Sequence, residues 1–223
     1  MPPGTKVFDV GWVGGHVGQI VERILQHLEL TILPLILGII VSLVLAVWAV
    51  RQQRVYAPIT VITGLLYTIP SLAAFAILRP IFGLSLITAF IPLMTYTLLI
   101  LFRNFTAGFY AVPAEILEAA EGMGYTRRER LLRVELPLSV PLIIAGIRLA
   151  SVTVIGLATV AAVLGDSFGG LGQLITEGIQ TFFPTKYLLG AALSVGLAFS
   201  ADFLFVQLGK AVTPWAHIKA GAR

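Results

Sequence analysis

Five long apolar runs dominate the chain, and polar or charged residues bound each of them. They are Thr31 to Val50, about Pro58 to Leu78, about Ile81 to Phe102, about Leu138 to Leu164 and about Tyr187 to Gly209. A bilayer core about 30 Å thick takes roughly 20 apolar residues in a helix, which is the length of each run. Unpaired backbone groups are too costly in lipid for any other open conformation, so each run is expected to be helical. Ahead of the first run, Val17, Ile20, Val21, Ile24, Leu25 and Leu28 recur at helical spacing, with Gln19, Glu22, Arg23 and Gln26 opposite. Val17 to Leu30 is therefore an amphipathic helix. It either lies on the outer membrane surface or extends the first spanning helix. The fold class expected is an all-α integral membrane protein with about five transmembrane helices.

Composition agrees with this pattern. Of 223 residues, 57% are hydrophobic and 12% charged, against about 25% charged in soluble domains. Mean hydropathy is +0.94. The length suits one compact domain, with no fused ATPase or solute-binding domain expected. Cysteine is absent, so disulfides and thiolate ligands are excluded. The start, Met1 to Val10, lacks a basic stretch followed by an apolar core and does not read as a cleaved signal peptide.

A net charge of +4 can signal nucleic acid, but the distribution of the cations points to topology. Arg51, Arg54, Arg103, Arg127, Arg128, Arg130, Arg133, Lys210, Lys219 and Arg223 fall on one side of the spans. Lys6, Arg23, Arg79 and Lys186 fall on the other. The richer side is expected to be cytoplasmic. The N-terminus is then outside and the C-terminus inside. The expected organisation is an extracytoplasmic segment 1–30, a transmembrane domain 31–209 with a cytoplasmic loop 103–137, and a cytoplasmic tail 210–223.

That loop is a polar island whose structure follows from local rules. Pro113 suits a helix start, and Glu115, Glu118 and Glu121 sit early in the helix, where negative charge is favoured. Ile116, Ala119, Ala120 and Met123 are spaced to share one face, kept low by the two alanines. Gly122 and Gly124 stop the helix. Thr126 and Glu129 form a capping box for a second helix, about Arg127 to Leu136, with its four arginines facing solvent. Pro137 and Pro141 mark the return to the membrane.

Glu118-Ala119-Ala120, then Gly124, then Val134, Leu136 and Pro137, resembles the EAA signature of membrane subunits in bacterial ABC importers. The resemblance extends further. Thr68-Ile69-Pro70-Ser71-Leu72-Ala73, Arg103-Asn104 with Thr106-Ala107-Gly108, Ala145-Gly146-Ile147-Arg148 and Gly169-Gly170-Leu171-Gly172 are similar to stretches of the osmoprotectant permeases, the glycine betaine, choline and carnitine group. It covers about Tyr67 to Gly172. Asp166-Ser167-Phe168, and Arg79 with Pro80, depart from that group's pattern.

The resemblance implies a MetI-like permease core with a cytoplasmic coupling helix. It implies that Glu118, Ala119, Ala120, Gly124, Val134, Leu136 and Pro137 engage an ABC ATPase subunit. An extracytoplasmic solute-binding protein would deliver the solute. A second permease subunit, identical or related, would complete the path by alternating access. ATP and magnesium belong to the ATPase, and this chain is expected to bind no cofactor and to be no enzyme. An ABC permease for another small solute, such as an amino acid, remains open, as does a stand-alone transporter or channel.

Several intramembrane residues are candidates in their own right. Arg148 and Asp202 lie ten and eight residues from the cytoplasmic ends of the fourth and fifth spans, or ~15 Å and ~12 Å deep. A charge at such depth needs a reason. The pair is expected to form an ion bridge, with substrate contact by Asp202 or separate satisfaction as alternatives. Pro70 and Pro92 are expected to kink the second and third spans. With Tyr67, Ser71 and Tyr96 they are candidate translocation-path residues, since aromatic faces attract quaternary ammonium; interhelical packing and hydrogen bonding are the alternatives. No phosphate-binding loop of the G-x-x-x-x-G-K-[ST] type occurs. His16, His27 and His217 are scattered, so no metal site is expected. The loop arginines read as a solvated face rather than a site for nucleic acid or lipid headgroups; membrane lipid is an expected partner of the chain, and nucleic acid is not.

Overall fold

The computed structural model describes residues 7–162 and 169–215. Among these every regular element is helical: α1 (Val10–Gly15), α2 (Val17–Arg51), a 3-10 turn (Gln53–Val55), α3 (Tyr56–Thr68), α4 (Ser71–Phe82), α5 (Leu86–Tyr110), α6 (Ala114–Gly122), α7 (Arg127–Arg130), a π-helical turn (Leu131–Glu135), α8 (Leu136–Ala161), α9 (Leu171–Gln180) and α10 (Pro184–Val212). Among the described residues, four helical stretches are long and apolar enough to cross a membrane, and the bent pair α3–α4 makes a fifth if it is one broken span.

The expected spans are present with altered limits. The amphipathic stretch and the first span are one helix, α2, of 35 residues. At 1.5 Å per residue it is ~52 Å long and exceeds the apolar thickness of a bilayer. Of the two readings of Val17 to Leu30, the helix extension is the one observed, and the boundary expected at residue 30 lies inside α2. The second span is not one helix. It breaks at Ile69 and Pro70, and its halves meet at 90°. Proline has no N–H to continue the helix and drives the residue before it out of the α region, so α3 stops at Thr68 and α4 begins at Ser71. Pro92, by contrast, is buried inside α5 without interrupting it.

The third span starts later and ends later than expected. α5 continues through Arg103 and Asn104 to Tyr110, so the loop is shorter. The second loop helix and the fourth span are likewise one run, Arg127–Ala161. Pro137 and Pro141 do not break it. Pro137 has no N–H to donate into the ladder, and the π-helical turn just before it shifts the hydrogen-bond register, with the Leu136 N–H bonding to the Leu131 carbonyl. The end of the fourth span beyond 162, Asp166 to Phe168 and His217 lie outside the described residues. α10 runs past the limit expected at 209. α9 is an element that the apolar runs did not announce.

The chain divides into two compact units. The first comprises Met1–Ile36, Ile69–Met94 and Val152–Ser200. Its core includes Ile20, Leu30, Phe75, Leu93, Val154, Leu171 and Leu174. Here Gly170 donates its N–H to Gln26 Oε1 at 3.0 Å, and the buried His27 contacts the Ile155 carbonyl through Nε2 at 3.2 Å. Gly172 packs so closely that a Cβ there would lie 2.3 Å from the Thr159 carbonyl oxygen.

The second unit comprises Leu37–Thr68, Thr95–Ser151 and Ala201–Arg223. Its core holds Ala46, Ala49, Leu101, Phe102, Phe105, Phe109 and Ala150. Small residues bring its helices close, as interfaces between membrane helices favour: Gly146 sits against Asn104, and Gly108 against Ser139.

Candidate functional site

The polar loop folds into a bracket between α5 and α8, within the second unit. Pro113 is the N-cap of α6, and Glu115 lies in its first turn. The far end of α6 closes with two backbone bonds. The Tyr125 N–H reaches the Ala120 carbonyl at 3.1 Å, and the Gly124 N–H reaches Glu121 at 2.9 Å. Gly124 takes φ +83°, the left-handed conformation that this C-cap geometry demands. Gly122 is still helical. Thr126 and Glu129 form the expected capping box. The Thr126 amide and hydroxyl, both donating to the Glu129 carboxylate, hold that exposed carboxyl below its ordinary range.

The anticipated common face of α6 is divided. Ile116, Glu118, Ala119 and Met123 are exposed, whereas Ala120 is buried at 1% exposure. Ala120 is thus part of the support of α6, and Ala119 is part of the outward surface. Val134, Leu136 and Pro137 are half-buried around the π-helical turn. Among the loop arginines, Arg127, Arg128 and Arg133 are exposed as expected, but Arg130 is turned inward.

Arg130 belongs to a network that sequence reasoning missed. Glu135, only 4% exposed, accepts from Arg130 Nε at 2.8 Å. It also accepts from Arg51, at the end of α2, with 3.1 Å to each carboxylate oxygen. Arg130 extends the chain of charges to Glu121 on α6. A buried carboxylate is tolerated when it is paired and hydrogen-bonded, and here the pairing ties α2, α6 and α7 to the start of α8. The signal in the sequence was a lone carboxylate among apolar residues at the membrane re-entry, which needs a cationic partner.

Arg148 on α8 and Asp202 on α10 are brought together as a bidentate pair, with Nε to Oδ1 at 2.9 Å and a second nitrogen to Oδ2 at 3.0 Å. Their side chains are 38% and 39% exposed. Arg148 also lines, with Ile144, Phe205, Lys210 and neighbours, a cleft of about 190 Å³. Of the candidate path residues, Tyr67 and Tyr96 meet edge to face in the second unit, ring centroids 5.7 Å apart. Pro70, Ser71 and Pro92 belong to the first unit.

Residues 31–214 match the family model described as binding-protein-dependent transport system inner membrane component. The choline transport system permease protein OpuBB of Bacillus subtilis (strain 168) is 33% identical over 198 residues, covering 88% of this chain and 90% of that protein. The osmoprotectant import permease protein OsmW of Salmonella typhimurium (strain LT2) is 35% identical over 204 residues, covering 89% and 94%. Among solved structures, an inward-facing form of the MetNI methionine ABC transporter shares the fold with a TM-score of 0.78 at 20% identity, covering 89% of this chain and 98% of that one. The chain is therefore a multi-pass membrane permease and belongs to the family of binding-protein-dependent transport system inner membrane components.

Proposed function

We propose that this chain is the permease subunit of an ATP-driven importer of a quaternary-ammonium compatible solute of the glycine betaine, choline and carnitine type. The observation that carries the reading is similarity along nearly the whole chain to permeases named for choline and for osmoprotectant import. In this reading the loop side is cytoplasmic, the N-terminus is outside, and a second permease subunit faces this one across the path. A separate ATPase holds ATP and magnesium, and this chain contributes no catalytic group and binds no cofactor.

The bracket supplies the lever. α6 offers Ile116, Glu118, Ala119 and Met123 as a shallow outward surface, suited to close approach by the ATPase. Its movement passes to α5 through the short link 111–113 and to α8 through the π-helical turn. The Glu135 network resists bending of the bracket, so a push is transmitted rather than absorbed. Cycles of ATP binding and hydrolysis would then alternate the path between its outward and inward states. The Tyr67–Tyr96 pair offers aromatic surface to a quaternary ammonium group by cation–π attraction.

The test is mass spectrometry of what copurifies with this chain from its native membrane in mild detergent, with Gly124→Asp alongside. An ABC ATPase should accompany the wild type and be lost from the variant. Robust recovery without any ATPase, under conditions that preserve other ABC complexes, contradicts the reading.

A further inference from the structure

We propose that Phe182, at the turn between α9 and α10, is the anchor on which the solute-binding protein docks. The inference rests on the partner and orientation proposed above, which place this turn on the extracytoplasmic side.

Phe182 is the one non-glycine residue with positive φ among the described residues, at +52°. It stands where a helix C-cap calls for glycine. The Phe183 N–H bonds to the Gly178 carbonyl at 2.8 Å, and the Phe182 N–H to Ile179 at 3.3 Å, the same paired closure seen at Gly124. A residue with a Cβ is strained in this conformation, and strain of this kind persists only where the surroundings over-determine it. Here they do. A Cβ on Gly178 would lie 2.5 Å from the Tyr187 backbone nitrogen, and one on Gly190 would lie 2.8 Å from Ile175, so α9 is clamped to the start of α10. Phe183 packs edge to face on Trp12 at 5.5 Å, and Asp9 donates its backbone N–H to Thr185 at 2.9 Å.

The packing that holds the turn does not use the Phe182 side chain, since the residue is 88% exposed. Glycine would close the turn without strain, so what a phenyl ring adds must lie outside the chain. Ile179 on the preceding turn is also exposed, while Gln180 and Thr181 beside it are polar. An apolar centre within a polar rim is the anatomy of a protein interface, and aromatic anchors carry a large share of binding in such patches. A lipid headgroup surface fits less well. The cations Arg23 and Lys186 share the single carboxylate of Glu177, at 3.8 Å and 2.8 Å, which leaves one net positive charge rather than the basic cluster an anionic lipid surface calls for. A binding protein is the soluble partner that this family's description requires.

The test uses the whole transporter in nanodiscs and the solute-binding protein that copurifies with it, purified and loaded with glycine betaine. Binding affinity and receptor-stimulated ATP hydrolysis are measured for wild type, Phe182→Gly and Phe182→Asn, both residues that accept the left-handed turn. We expect both variants to fold with undiminished thermal stability and unchanged basal hydrolysis, and to bind the receptor at least about tenfold more weakly. Wild-type affinity in both variants overturns the inference and leaves the proposed function standing. Dissociation of the permease pair in the variants overturns it in favour of a subunit contact. Lowered stability in the bilayer with unchanged affinity overturns it in favour of lipid. A wild-type complex with no receptor response overturns both readings.

Discussion

Replacing Glu135 with glutamine should loosen the bracket more than any other single change in its ion network. Glutamine keeps the volume and one acceptor but removes the charge shared by Arg51 and Arg130. Glu135 is almost fully buried, and its contacts run from 2.8 to 3.1 Å. A hydrogen bond to a charged group contributes about 1.5–3 kcal/mol, and breaking a fully buried pair costs about 3–5 kcal/mol. Arg51 is 30% exposed and Arg130 16% exposed, so water screens part of that. We estimate a loss of about 2–3 kcal/mol for Glu135→Gln, somewhat less for Arg130→Gln, and about 1 kcal/mol for the more exposed Arg51→Gln. For a chain of this size that corresponds to a fall in unfolding midpoint of roughly 5–10 °C for the glutamate variant. Thermal unfolding of the purified transporter reads the stability. ATP hydrolysed per solute moved reads the coupling, which should worsen in the same order. The double variant Arg51→Gln with Glu135→Gln should cost less than the sum of its parts, because both changes remove one shared contact. A Glu135→Gln protein as stable and as tightly coupled as wild type would refute the reasoning, and so would strict additivity.

The remaining predictions concern single positions. Gly124→Ala should cost about 1–2 kcal/mol and impair ATPase association through its left-handed φ, whereas Gly122→Ala, helical and facing open space, should be tolerated; ATPase pull-down compares them. Arg148→Asp and Asp202→Arg should each lower assembly, and the exchanged double variant should recover it by native gel; no recovery counts against a direct pair. Gly172→Ala should abolish folded yield, since its Cβ would strike the Thr159 carbonyl, while Gly156→Ala, with open space around it, should express normally.

The sequence was most informative where local chemistry decides structure. The capping box at Thr126 and Glu129, the glycine closure at Gly124 and the depth match of Arg148 with Asp202 all follow from residue type and spacing. It was least informative at the ends of elements. Hydropathy marks where apolar residues run out, and it does not mark where a helix ends. α5 therefore passes through Arg103 and Asn104, and α2 absorbs the amphipathic stretch. Proline was ambiguous for a physical reason. Pro70 breaks a helix while Pro92, Pro137 and Pro141 do not, because the outcome depends on whether neighbouring turns re-satisfy the freed carbonyl. The Glu135 hub joins residues far apart in sequence, from Arg51 to Glu135, and no spacing rule reaches that far. α9, at ten residues, falls short of a span and leaves no long apolar run, although Leu171, Leu174 and Ile175 carry helical periodicity.

The most direct test of the account is uptake of radiolabelled choline and glycine betaine by proteoliposomes. They would hold this permease with its copurified ATPase, and the loaded binding protein would be supplied outside the vesicles. The account predicts solute accumulation that requires internal ATP and the binding protein, and that is lost in Gly124→Asp. Uptake that proceeds without ATP, driven by an ion gradient and indifferent to Gly124→Asp, would contradict it.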